Sequence, residues 1–95
     1  MAIGVLTEVD EGTLEMYDQV NERLQMQGDP PAGMIVHTAG AKEGGGFRIF
    51  DVWESRENFQ SFQEDRLGPV VSEVVGEDAR PSRQEVYELH DFVRP

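Results

Sequence analysis

The chain has 95 residues, enough for one domain, with 8 basic against 19 acidic side chains and a formal charge of −11. That balance excludes a reader of phosphate backbones and disfavours an anionic membrane surface, because both need clustered Lys and Arg. The lack of cysteine removes disulfides, thiolate nucleophiles and Cys-ligated metals, while a hydrophobic content of 38% supports a folded globule.

Ile3 to Val9 reads as a strand, with Ile3, Val5 and Val9 on one face and Leu6 on the other. Asp10 to Thr13 is a turn in which Asp10 or Thr13 can cap the helix that follows. Leu14, Tyr17, Val20, Asn21 and Leu24 form one stripe of that helix, which is expected to end near Gln27 with Gly28 as its stop. Asp29-Pro30-Pro31 is a stiff connector. Gly33 to Ala41 is a second strand, Lys42 to Gly46 a glycine-rich hairpin loop, and Phe47 to Glu54 a third strand.

From Phe59 the apolar period changes from two to helical, and Ser55 stands at the change, placed to cap. The second helix turns Phe59, Phe62 and Leu67 inward. Gly68-Pro69 is expected to interrupt it, with Pro69 opening a renewed helix that carries Val70, Val71, Val74 and Val75. Gly76 to Arg83 is a polar loop, and Gln84 to Val93 the last strand.

This order, β-α-β-β-α-β, implies an α+β, ferredoxin-like domain spanning residues 1–95. Right-handed crossovers give a four-stranded antiparallel sheet in the order 4-1-3-2 with both helices on one face. The strands are apolar on both faces, as in Ile35, Phe50 and Val52 against Val36, Ile49 and Trp53. The face without helices then needs a cover, for which a second copy related by a two-fold axis is the simplest candidate. Met1 to Val5 has neither the basic region nor the long apolar run of a signal peptide. No stretch reaches the ~18 apolar residues of a membrane span. A cytoplasmic homodimer is the expectation.

The motif Trp53-Glu54-Ser55-x-Glu57-x-Phe59 resembles a signature of the antibiotic biosynthesis monooxygenase-like group, within the dimeric α+β barrel superfamily. The resemblance implies the dimeric barrel, with a ligand space between sheet and helices. Superfamily members include cofactor-independent oxygenases, isomerases, cyclases and haem-degrading proteins. In the oxygenase branch the motif Trp works with an Asn four residues earlier and a Tyr six later. Ile49 and Phe59 occupy those positions here, so Trp53 alone carries over.

The residues themselves point to His37 as the proton-transfer group, since imidazole gives and takes a proton near neutral pH and here interrupts an apolar strand. Asp51, a carboxylate within a central strand, is the second catalytic candidate, with an ordinary ion pair as its plainer role. Hairpin pairing is expected to set His37 near Phe50 and Val52, opposite Trp53, unless a bulge reverses the faces. Trp53, Tyr87, Phe50, Phe62, Tyr17 and His90 are candidates for contacting a ligand. A metal shared by His37 and His90 would need a third ligand, and no metal or cofactor is expected. Gly44-Gly45-Gly46 joins two strands and lacks a following Lys-Ser/Thr, so it is no phosphate loop.

The sequence therefore implies a small homodimer that binds an apolar or aromatic molecule, with no nucleic-acid or membrane partner. The chemistry would be that of a cofactor-independent monooxygenase-like enzyme, an isomerase or a cyclase. A non-catalytic ligand-binding or stress-associated dimer is the alternative.

Overall fold

The computed structural model describes residues 1–95. Four strands, β1 (Ile3–Val9), β2 (Met34–Ala41), β3 (Phe47–Trp53) and β4 (Arg83–Glu88), form one antiparallel sheet in the order β2-β3-β1-β4. This is the ferredoxin-like arrangement the sequence implied. Between the strands run α1 (Leu14–Leu24), α2 (Arg56–Phe62) and α3 (Gly68–Val74), and a π-helical turn, Gln63–Leu67, joins the last two. No helix is long and apolar enough to cross a membrane.

Local chemistry sets most boundaries. Thr13 caps α1, its Oγ1 accepting from the Met16 amide at 3.1 Å, while Asp10 accepts instead from Lys42. Ser55 caps α2 in the same way, accepting from the Asn58 amide at 3.1 Å. The stop of α1 lies three residues earlier than Gly28: Gln25 takes the left-handed conformation, φ 52°, and its amide donates to the Asn21 carbonyl. Gly46 has φ 81°, and a Cβ there would lie 2.3 Å from the Val9 carbonyl oxygen, so the hairpin loop requires glycine at this point.

Two expected elements differ. Gly68-Pro69 does not break the second helix, because the backbone widens by one residue per turn just before it. The Gly68 amide donates to the Gln63 carbonyl five residues back, and a Cβ on Gly68 would meet that oxygen at 2.8 Å. The wider turn carries the chain through the proline without a loop. The last strand ends at Glu88 rather than Val93 because its partner ends first. Ile3 is the last β1 residue in register, and after it only the Leu89 amide bonds to Ala2, at 2.9 Å.

The core lies between sheet and helices and is built from Ile3, Val5, Leu24, Met26, Trp53, Phe59 and Phe62. The opposite face carries Leu6, Val36, Phe50, Val52 and Tyr87, and no helix covers it; Val36 and Tyr87 are each 45% exposed. At one end of this face Glu8, only 7% exposed, takes Lys42 at 2.8 Å and Arg48 and Arg83 at 3.4 Å.

The Lys42 ammonium, hydrogen-bonded to both Glu8 and Asp10, is the main cause holding these carboxyls below their ordinary values of 4.5 and 3.8, against the opposing effect of desolvation. A carboxyl with a lowered folded pKa stabilises the protein above its unfolded pKa and loses that contribution as pH falls through the folded value. The urea midpoint is therefore expected to drop as pH falls below 4.5, and the drop should be shallower in Glu8→Gln. Identical acid limbs in the two proteins would show that the cluster contributes nothing.

Candidate functional site

Alternation along β3 turns Phe47, Ile49, Asp51 and Trp53 toward the helices. The five-residue loop Lys42–Gly46 pairs Ala41 with Phe47, and counting back from there pairs His37 with Asp51. His37 thus lies on the face of Trp53, not beside Phe50 and Val52 as expected. The β2 irregularity falls beyond it, between Met34 and Val36, and leaves this stretch of register intact.

Neighbouring strands bring the two side chains together: His37 Nδ1 lies 2.7 Å from Asp51 Oδ1. From α1 above, the Tyr17 hydroxyl reaches the other ring nitrogen, Nε2, at 2.6 Å. The Tyr17 and His37 rings are nearly parallel, 12° apart, and the Tyr17 ring meets Phe47 edge-on at a centroid distance of 5.6 Å. Tyr17 is held in place by an aromatic neighbour as well as by its hydrogen bond.

The proton arrangement follows from the chemistry of the three groups. An ionised carboxylate only accepts, so His37 donates through Nδ1 to Asp51. In a neutral ring Nε2 then accepts from the Tyr17 hydroxyl. Burial first, and then the charges of Asp51 and Asp18, push the Tyr17 phenol above its ordinary pKa of 10.0, which keeps it protonated and donating. The Asp51 side chain is 9% exposed and that of His37 22%, so the carboxylate is the hidden end of this chain of hydrogen bonds.

All three side chains line a cavity of about 510 Å³ between α1, the π-helical turn, α3 and the sheet. Its wall is mainly apolar, including Val20, Leu24, Phe59, Phe62, Leu67 and Val71. The widened backbone of the π-helical turn contributes here, since Gln63, Leu67 and Gly68 all face the space. Asn21 lines it as well, and its Oδ1 has no hydrogen-bond partner.

Of the ligand-contact candidates, Tyr17 and Phe62 line this cavity together with His37 and Asp51, whereas Trp53, Phe50, Tyr87 and His90 do not. Trp53 is fully buried between Phe59 and Phe62, at centroid distances of 5.7 and 5.2 Å, and its indole N–H has no partner. Phe50 and Tyr87 belong to the other face of the sheet, where Tyr87 lies over Gly4. His90 is exposed beyond the end of β4. Asn21 was visible in the sequence as a polar member of the α1 stripe. Arg80, at the cavity rim, gave no signal, because it lies in a loop with no periodicity.

The sequence matches no family model and no curated protein. Solved structures do match. Rv0793 from Mycobacterium tuberculosis has a TM-score of 0.75 at 12% identity, over 99% of this chain and 100% of that one. SnoaB, a cofactor-independent oxygenase from Streptomyces nogalater, has a TM-score of 0.65 at 12% identity, over 99% and 97%. ActVA-Orf6, a monooxygenase from Streptomyces coelicolor solved in complex with nanaomycin D, has a TM-score of 0.62 at 18% identity, over 99% and 91%. The chain thus has the fold of antibiotic biosynthesis monooxygenase-like structures. At these identities the likeness is one of fold.

Proposed function

We propose that this protein is a cofactor-independent, monooxygenase-like enzyme that removes a proton from a small hydroxyaromatic molecule bound between sheet and helices, and that it works as a homodimer. The observation that carries the reading is the Asp51–His37–Tyr17 chain of hydrogen bonds opening into a largely apolar cavity. Asp51 orients the imidazole and stabilises the imidazolium that forms when Nε2 takes a proton. Since Tyr17 occupies Nε2, the substrate proton passes to the phenol oxygen as the phenol proton moves to His37. The deprotonated ring, rich in electrons, is then the species that reacts with dioxygen or rearranges. The cavity wall excludes water and favours a flat apolar body.

The uncovered apolar face bearing Val36, Phe50 and Tyr87 supports the dimer, and likeness of fold to two oxygenase structures supports the reaction class.

Turnover of a panel of hydroxynaphthalenes and hydroxyanthrones, with product and oxygen uptake followed together, tests the reading. The expected result is turnover by a species of twice the chain mass in light scattering. Tyr17→Phe should lose nearly as much activity as His37→Gln if the phenol passes the proton. A Tyr17→Phe protein with full activity would mean that His37 meets the substrate directly. No turnover of any panel member, with the cavity empty of bound ligand, would leave the non-catalytic module as the better account.

A further inference from the structure

The cavity has a chemical polarity that the proton-transfer chain does not use. Among its lining residues Arg80 is the single Lys or Arg, in a protein with 19 Asp and Glu against 8 Lys and Arg. Its guanidinium pairs with no carboxylate, unlike those of Arg23, Arg48, Arg66 and Arg83; Arg56 and Arg94 are unpaired too, but neither lines the cavity. Instead Arg80 Nη1 donates to the backbone carbonyls of Ala79 at 2.8 Å and Glu77 at 3.3 Å. Those bonds hold one side of the fork and leave Nη2 and Nε uncommitted.

The loop that carries Arg80 is itself tied down. The Ser82 amide donates to the Glu8 carbonyl at 2.8 Å, the Ser82 Oγ accepts from the Asp10 amide at 2.9 Å, and the Ala79 amide donates to Gly76 at 3.2 Å. Thr7 and Gln84, paired across β1 and β4 and hydrogen-bonded at 3.2 Å, also line the cavity. The space therefore combines an apolar body with a polar side where a positioned cation is free. Asp51 and Glu11, also in its lining, would repel an anion, so Arg80 is the group that could make one welcome.

We infer that the ligand is an aromatic acid, whose carboxylate is held by Arg80 at the rim while its hydroxyaromatic ring fills the apolar interior. The inference rests on the cavity being the ligand site. A guanidinium fork matches a carboxylate with two parallel hydrogen bonds, which a lysine ammonium cannot reproduce.

Calorimetric titration of the full chain with a hydroxynaphthoic acid and with its methyl ester tests it. The acid is expected to bind about tenfold more tightly than the ester, the size of one charge-assisted contact at a partly exposed site. Arg80→Gln should collapse that preference to about one, Arg80→Lys should keep part of it, and added salt should reduce it in the parent protein. Equal affinity for acid and ester, or a preference that survives Arg80→Gln, overturns the inference and leaves the ligand cavity standing. Failure of both compounds to bind overturns the cavity reading and the inference with it. Arg80 is exposed and packs into no core, so its variants retain the fold.

Discussion

His37→Gln is expected to lower turnover of a hydroxyaromatic substrate by about 10²–10⁴-fold, the usual contribution of a positioned acid–base group. Glutamine is the informative replacement because its amide can still donate to Asp51 but cannot accept a proton and pass it on. Alanine would instead leave the buried Asp51 carboxylate without its 2.7 Å partner, and a buried acceptor left unmade costs about 1–3 kcal/mol. Loss of activity in His37→Gln at an unchanged melting temperature and oligomeric mass separates chemistry from folding. Asp51→Asn should be impaired in a different way. It keeps the side-chain volume, but its amide can favour the other imidazole tautomer, in which Nε2 carries the proton and no longer accepts from Tyr17. A His37→Gln protein with parent-like turnover would remove the proton-transfer chain from the mechanism.

Trp53→Ala is expected to destabilise the fold by about 4 kcal/mol, a typical cost of removing a fully buried large aromatic side chain. That is a large share of a domain's usual stability of about 5–15 kcal/mol and nearly all of it at the lower end expected for a small chain, so the variant should unfold at much lower urea than the parent. The cause is packing: Trp53 is 0% exposed and fills the space between Phe59 and Phe62 on the floor of the core. Trp53→Phe should cost far less, because it keeps an aromatic ring and removes an indole N–H that has no partner in the core. Relief of that orphaned donor offsets part of the lost contact area. Since Trp53 does not line the cavity, a folded Trp53→Phe protein should retain turnover. Equilibrium urea unfolding and the panel assay check the two halves together. A well-folded but inactive Trp53→Phe would place the indole in the chemistry after all.

The roles of these two residues mark how far the sequence could be read. The strand-to-helix change around Ser55 was legible because alternation, a cap residue and helical spacing all agree there, and the hydroxyl caps as expected. β1, with its bounds at Ile3 and Val9, was legible for a similar reason: an apolar run closed by Asp10 and Gly12. What escaped depends on partners distant in the chain. β4 ends at Glu88 because its register with β1 stops at Ile3, which the apolar pattern of Leu89 to Val93 does not encode. The π-helical turn before Pro69 is a backbone accommodation, and the same residues read equally well as an interruption.

The site was legible in part. His37 and Asp51 stood out as polar groups within apolar strands, and their meeting could have been counted from the five-residue loop. Two strands fix that pair. The third member depends on the height and rotation of α1 over the sheet, set by Tyr17 against Phe47 and by the α1–α3 packing, and no periodicity in the chain reports those quantities. Trp53 illustrates the converse. Its place in the motif suggested a ligand contact, yet alternation along β3 and the two phenylalanines of α2 enclose it.

Nitrogen-resolved NMR of the His37 imidazole, recorded during titration with a hydroxynaphthoic acid, tests the central claim most directly. In the free protein at a pH where the ring is neutral, the account requires the Nδ1-protonated tautomer, with Nε2 accepting from Tyr17, and both resonances should move as the cavity fills. Tyr17→Phe should shift Nε2 alone before any ligand is added. An imidazole protonated on Nε2, or one whose signals ignore saturating ligand, would contradict it.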